Sequence, residues 1–408
     1  MPRSQLYGWL VVAVCFVALS LSFSARSVLG LAMPYVEADL GWSRSFVSAG
    51  GAVALVLMAA AAPVSGNLVD RFGPRALLSA GLAFVGIGMV LTAGVSASWQ
   101  FLLAFSLVAG LGFGIAATHV VSTIVSLQFE RNRGLAVGVA TAGSTAGQLL
   151  VIPMLASVLA TTSWRWSYLT LGLASLALIP LVLVLIRRHR NGTSAKERPA
   201  TESLGARLAL LWRSPVFHLL FWSFTICGFT TAGVIETHLL PYAAACGFPP
   251  LQSATAYGVL SAFNLGGMVL AGYFTDRMNR PFLLGGIYVM RGLSFILLIL
   301  AANDLSLLFV FAIAFGLFDY STVPPTASLV ASHLGLRVMG LTMGLLSAGH
   351  SLGAAVGAFL AGYLFDLFAR YYWVWAASIA LALVAGLLAF SIRETRPGRR
   401  SAALAGAD

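Results

Sequence analysis

Two segments of this chain, GNLVDRFGPR at 66–75 and GYFTDRMNRP at 272–281, repeat one another at an offset of 206 residues. Each closes a long apolar run and opens the next, so the fold must make the same turn twice. The offset recurs elsewhere: Ala142 and Gly143 fall on Ala348 and Gly349, Gly147 on Gly353, Gly138 on Gly344, and Gly110 with Leu111 on Gly316 with Leu317. A parallel repeat of half the chain predicts two homologous bundles in tandem, with any shared site at the seam between them.

Composition fixes the solvent. At 59% hydrophobic and 9% charged, with 42 glycines in 408 residues, the chain is too apolar for a soluble enzyme of this size and reads as an all-α integral membrane protein. Roughly 20 apolar residues cross a bilayer, and twelve such runs are present: 8–36, 45–66, 76–94, 99–126, 135–160, 166–186, 215–244, 251–274, 281–301, 304–331, 338–365 and 372–392. They divide the chain into a six-helix bundle over 1–186, a basic linker over 187–214, a second six-helix bundle over 215–392 and a tail over 393–408. Pro34, Pro63, Pro153 and the pair Pro324 and Pro325 are places for the longer spans to bend. The first run lacks a small-residue cleavage site and is read as span 1. Cys15, Cys227 and Cys246 show no metal or redox spacing and are read as small packed residues.

Basic residues set the orientation. With both termini in the cytoplasm, 19 of the 24 Lys and Arg fall on cytoplasmic segments and three (Arg44, Arg165, Arg370) on the other side, which predicts a multi-pass protein of the cell's inner (plasma) membrane. The same asymmetry accounts for most of the net charge of +11, so nothing calls for nucleic acid. The linker, RRHRNGTSAKERPATES and its flanks, is expected to be mobile and to lie near anionic lipid headgroups. Its Asn191-Gly192-Thr193 sequon would face the cytoplasm and stay unglycosylated.

The repeated loop carries its own physics. Gly66 and Gly272 let neighbouring helices approach closely, and Asp70 and Asp276 are placed to meet the positive N-terminal end of the next helix. Arg71, Arg75, Arg277 and Arg280 can clasp acidic or carbonyl groups beside them. The two loops are therefore read as a latch that holds one face closed; a purely topogenic basic loop is the alternative.

GNLVDRFGPR resembles the loop signature of the major facilitator superfamily, and the two-half, twelve-span layout is similar to that fold over nearly the whole chain. FERNRGLAVGVATAGSTAG at 129–147 resembles the span 5 signature of monocarboxylate transporters through Phe129, Arg131, Arg133, Leu135, Ala136, Gly138, Ala140, Ala142, Gly143 and Gly147. Gln128 and Asn132 depart from it. Tyr7, Gly8, Trp9 and Val11 are similar to the same family's opening motif on span 1. Drug and proton antiporters of the superfamily carry a Gly-Pro, Gly-Gly element in span 5, whereas this chain has GQLLVIPMLAS there. Even without the family, the small residues of span 5 recur at intervals of four and offer a face for close helix packing. The resemblance implies gradient-driven movement of a small organic anion by alternating access. It also implies that Arg131 and Arg133 belong with the gating loops.

Ionisable residues deep in a bilayer cost several kcal/mol by most estimates and are candidates for function. Six stand out: Arg26, His119, Glu236, Arg291, Asp319 and His350. The resembled fold lines its cavity with spans 1, 4, 7 and 10, which carry Arg26, His119, Glu236 and Asp319. Arg26 either holds a substrate carboxylate by paired charge-assisted hydrogen bonds or forms an ion pair with Glu236. Arg291 either neutralises Asp319 as a buried pair or handles substrate or protons. His350, at the repeat position of Ser144 and close in depth to Asn264, can titrate between about pH 5 and 8 or simply pack. Gln148, Asn264 and Tyr320 complete the substrate-binding candidates, and Asp319, Arg291, Glu236 and His119 the proton-coupling or ion-pair set. Monocarboxylate transporters usually place an arginine one turn after the position of Asn264, where this chain has Met268, so Arg26 would have to supply the cation.

No phosphate-binding loop or metal-ligand cluster is legible, so neither a cofactor nor a metal is expected, and an enzyme is not. Three functions remain: proton-coupled transport of an organic anion by a monomer, efflux of a drug-like or amphipathic compound, and a sensor that binds without transporting.

Overall fold

The computed structural model describes residues 3–42, 44–151, 154–155, 162–186, 203–301 and 304–394. Pro153, the sequon, most of the polar linker and residues 395–408 lie outside the described residues, as do the side chains of Pro34 and Arg44.

Among the described residues twelve helices are long and apolar enough to cross a membrane: Leu6–Met33, Ala49–Phe72, Pro74–Ala93, Ser98–Gln128, Arg133–Val151, Trp164–Leu185, Pro215–Ala243, Gln252–Thr275, Arg280–Leu300, Leu305–His333, Leu336–Phe365 and Tyr372–Phe390. They are numbered spans 1 to 12, and the chain is a multi-pass membrane protein. Between spans 2 and 3, Gly73 takes a left-handed backbone (φ 84°) and Pro74 starts the next helix without needing an N–H. With an even number of crossings, the start of span 1 and the end of span 12 share one side, called here the termini face.

The linker differs from expectation. Part of it, Leu204–Trp212, is a helix begun by Ser203, whose hydroxyl accepts from the Ala206 N–H at 3.2 Å. Leu204, Leu208 and Leu211 recur at helical spacing, and the Ser203 cap supplies the start signal. Charge and Ser/Thr content upstream masked this short amphipathic segment.

The apolar interior is not evenly divided. At the termini face one continuous core joins both groups of six spans, running from Val11, Leu19 and Val120 to Phe217, Val330 and Leu346. Toward the opposite face it splits in two, one core around Met89, Phe105 and Tyr168 and another around Phe295, Phe311 and Trp375. The two groups of spans are thus fused at one end and parted at the other.

Glycine makes the fused end possible. A Cβ on Gly66 of span 2 would stand 2.1 Å from the Gly340 carbonyl of span 11, and one on Gly272 of span 8 would stand 2.5 Å from the Gly134 carbonyl of span 5. The small-residue face of span 5 serves two partners in succession. Gly138 meets the Met268 carbonyl of span 8, whereas Gly143 and Gly147 meet Phe16 and Ser20 of span 1. Span 11 repeats the scheme, with Gly344 against Ala62 of span 2 and Gly349 and Gly353 against span 7.

Candidate functional site

Where the two groups part, a cavity of about 940 Å³ opens between spans 1, 2, 4, 7, 10 and 11. Its walls are mostly apolar, with Leu29, Met33, Leu55, Phe105 and Leu352 among them; several Ser and Thr hydroxyls face it together with Arg26, His119, Glu236, Asp319, Tyr320 and His350. These last are all sequence candidates.

Arg26 has no carboxylate within ion-pair distance among the described residues. Its guanidinium lies over the Phe23 ring at 4.6 Å, with Nη1 3.9 Å from the Met58 sulfur. Glu236 instead accepts from the Tyr320 hydroxyl at 2.8 Å, so the pairing of Arg26 with Glu236 is not formed. The backbone explains the placement of Glu236. Residues Phe229–Ile235 form a wide π-helical turn just before it, which shifts register and directs Thr231, Glu236 and Thr237 to the cavity.

The proposed side-chain pair of Arg291 and Asp319 is also not formed. Arg291 is fully buried and donates to the backbone carbonyls of Phe318 (2.7 Å) and Asp319, and from Nη1 to the Cys227 sulfur at 2.9 Å. Span 10 is broken here: one helix ends at Phe318, a tight turn covers Tyr320–Thr322, and the next helix begins at Val323. Within the tight turn the Val323 N–H goes to the Tyr320 carbonyl instead of that of Asp319, and the Arg291 guanidinium takes up the carbonyls of Phe318 and Asp319 at the end of the first helix. Cys227, read from sequence as inert packing, is thus a hydrogen-bond partner at the cavity wall.

Asp319 turns the other way. Its Oδ2 accepts from the Asn264 amide at 3.0 Å, and the Asn264 carbonyl accepts from the Tyr320 N–H at 3.3 Å. Its Oδ1 is buried with no partner. These residues border a side pocket of about 20 Å³ that also holds Ser144, Thr145, Gln148 and Ser261. Gln148 donates to Ser27 at 3.3 Å. Met268, at the position where the resembled family keeps an arginine, is fully buried in the seam of spans 5 and 8 and borders neither space.

The histidines differ. His350 lies 3.4 Å from the Thr231 hydroxyl and stacks obliquely on Phe224; it lines the large cavity, whereas Asn264 lines the side pocket. His119 is buried, with Nε2 2.9 Å from the Ser65 hydroxyl and Nδ1 without a partner.

At the termini face the two aspartates cap helices, but not the next ones. Asp70 accepts from the N–H groups of Gly340 and Leu341, each at 2.9 Å. Asp276 accepts from those of Gly134 and Leu135, each at 2.8 Å. Each carboxylate therefore crosses the seam to the start of span 11 or span 5, where orphan N–H groups and the helix dipole favour an anion. Gly66 and Gly272, one turn earlier, bring those helix starts within reach.

The flanking arginines are divided in use. Arg280 pairs with Glu394 and reaches the Ser328 carbonyl at 3.2 Å. Arg277 folds back over Tyr273 and its carbonyl, and Arg133 bonds the Phe129 carbonyl at 2.9 Å. Arg71 and Arg131 are exposed and Arg75 is half-buried. The residue missed by sequence reasoning is Arg207 of the linker helix. It ion-pairs with Asp70, donates to the Asn67 side-chain Oδ1 at 2.6 Å and reaches the Arg337 backbone carbonyl at 3.4 Å.

Comparison with known proteins agrees with this architecture. The chain is 29% identical over 378 residues to human monocarboxylate transporter 11, covering 90% of this chain and 78% of that protein. It is 24% identical over 374 residues to an uncharacterized MFS-type transporter, YcxA, of Bacillus subtilis, covering 90% of each. Among solved structures, a bound form of the proton:xylose symporter XylE superposes with a TM-score of 0.74 at 15% identity, over 94% of this chain and 95% of that one. Human MFSD10 superposes with a TM-score of 0.73 at 19% identity, over 95% and 100%. The family model for the Major Facilitator Superfamily matches residues 15–301 and 269–407. The chain is a member of the major facilitator superfamily, a transporter of a small molecule and not an enzyme.

Proposed function

We propose that this protein is a secondary active transporter that moves a small organic anion by alternating access, with both termini on the cytoplasmic side of the inner (plasma) membrane. The observation that carries the reading is Arg26, a cation with no carboxylate partner among the described residues, in an apolar-walled cavity. A guanidinium there can bind a substrate carboxylate with two parallel hydrogen bonds. At an effective dielectric near 20 such a contact is worth about 4 kcal/mol at 4 Å. The likeness to human monocarboxylate transporter 11 supports an anionic cargo, and the apolar walls favour one with a sizeable hydrocarbon body.

In this orientation the fused, latched end faces the cytoplasm and the cavity faces outward. Transport then requires both aspartate caps to release while the opposite ends close. Coupling to a proton gradient is supported by Asp319, Glu236 and His350, three titratable groups that border the cavity. A monomer suffices, because one chain supplies the whole cavity, and the basic linker adds contact with lipid headgroups.

Thermal unfolding of detergent-purified protein against small carboxylates and lipophilic cations tests the reading, using the wild type and Arg26→Ala. At a hundred times its dissociation constant a ligand stabilises by about 2.7 kcal/mol. Carboxylates are expected to stabilise the wild type and to lose that effect in Arg26→Ala. Stabilisation by lipophilic cations alone would move the function to efflux of an amphipathic compound. Carboxylate binding without exchange of labelled substrate across a vesicle would make it a sensor.

A further inference from the structure

The side pocket between spans 1, 5, 7, 8 and 10 brings several side-chain oxygens to a buried carboxylate. The Ser144 hydroxyl donates to the Thr141 carbonyl at 2.8 Å, and the Ser261 hydroxyl donates to the Tyr257 carbonyl at 3.1 Å. The Asn264 amide spends one N–H on Asp319, the Gln148 amide spends one on Ser27, and the Tyr320 hydroxyl donates to Glu236. The lone pairs of Ser144 and Ser261 remain for the pocket, together with the Tyr257 hydroxyl and the second N–H of each amide. Asp319 Oδ1, on a residue only 3% exposed, has no partner of its own.

Two carboxylates border this space, Asp319 and Glu236, and neither has a cation within ion-pair distance among the described residues. Arg291 reaches residue 319 only through its backbone carbonyl. A buried carboxylate oxygen without a partner calls for positive charge or a proton, not for a further acceptor. The free space of about 20 Å³ admits one water-sized body. Hard oxygen donors suit an alkali or alkaline-earth ion. Glu236 already accepts from the Tyr320 hydroxyl, which leaves Asp319 as the carboxylate with an unpartnered oxygen and matches a monovalent ion.

We infer that this pocket binds a sodium-sized monovalent cation against Asp319, with Ser144, Ser261, Asn264 and Gln148 supplying neutral oxygens. The proposal rests on the transport reading above and deepens its coupling step: the pocket holds a proton on Asp319 or a cation beside it, not both. The charged and titratable groups around Asp319 are Glu236 and Cys227 on span 7, Tyr257 on span 8, Arg291 on span 9, Tyr320 on its own span, Arg26 on span 1 and His350 on span 11.

The test is thermal unfolding of the full-length protein near neutral pH, without organic anion, in sodium, potassium or choline chloride at equal ionic strength. Sodium is expected to raise the midpoint by about 2–4 °C over the other two. Asp319→Asn and Ser261→Ala are each expected to remove that preference. If Asp319→Asn does not fold, Ser261→Ala and the wild-type cation series still decide the matter. Equal midpoints in all three salts overturn the proposal, as does a response to acidification with no preference among cations. Neither result touches the carboxylate test on Arg26, and a failure of that test leaves the sodium measurement standing.

Discussion

The two aspartate caps are copies of one device, yet only one of them is reinforced. Asp70 and Asp276 each take two backbone N–H groups from a helix across the seam. Asp70 alone also holds a guanidinium, that of Arg207, in a pair whose side chains are 8% and 5% exposed. Among the described residues no side-chain cation pairs with Asp276. The difference teaches that duplication fixed the backbone geometry, while the segment joining the copies, which has no repeat partner, added an asymmetric brace. Release of the seam at the termini face is therefore expected to begin at spans 5 and 8, with spans 2 and 11 parting second.

The strongest way to break the comparison is to remove the close approach on each side. Gly66→Val and Gly272→Val place atoms where a Cβ alone already falls 2.1 and 2.5 Å from a carbonyl oxygen. Overpacking of this kind costs about 1–3 kcal/mol, or roughly 5- to 150-fold in the population of the closed face. Flux is expected to fall and labelling of cysteines introduced behind the seam to rise in both variants. A change in one variant only would show that the two seams are not equivalent even in backbone.

A sharper instrument is a double-mutant cycle. Asp276→Ala frees two N–H groups, whereas Asp70→Ala frees two N–H groups and strands Arg207. Asp70→Ala is therefore expected to be the more destabilising. The cycle of Asp70→Ala with Arg207→Ala is expected to give a coupling of about 1–3 kcal/mol in unfolding measurements. A coupling near zero would reduce Arg207 to a neighbour and restore symmetry to the two caps.

The smallest effect serves as a control at the opposite face. Arg165 bonds Asp39, which also accepts from the Trp164 indole at 3.0 Å, and side-chain exposures are 35% and 47%. The Arg165 hydrogen bond, followed by that of Trp164, holds the Asp39 carboxyl below its ordinary value. A depressed carboxylate contributes stability above its unfolded value and loses it as pH falls through the folded one. Arg165→Ala is thus expected to lower the midpoint slightly at neutral pH and not at all in strong acid, since solvent screens so exposed a pair. An effect as large as that of Arg207→Ala would overturn the ranking by burial.

Much of this was legible beforehand. The twelve spans follow from length and apolarity, and the repeat identified Asp70, Asp276 and both glycines. Their partners were not legible, because Asp70 and Gly340 lie 270 residues apart and any helix start offers the same N–H groups. Arg207 was hidden because basic residues near a membrane face are explained by topology alone. The pairing of Arg291 failed for a different reason. By residue type a carboxylate outbids a carbonyl for a guanidinium, but a helix broken before two prolines offers several carbonyls together. Arg26, Glu236 and Asp319 share one cavity on spans 1, 7 and 10, which the resembled fold implied, and His350 joins them from span 11. The side pocket was beyond reach, since it depends on where hydroxyl hydrogens point.

The seam itself carries a warning for anyone who maps it by mutation. At Gly66 with Gly340, Gly134 with Gly272 and Gly138 with Met268, main chain touches main chain with no side chain between. An alanine scan ordinarily deletes contacts; along these lines it inserts them. Alanine phenotypes here would measure the cost of an added methyl group, and a map that ranked residues by such losses would report as important those positions at which nothing can be taken away.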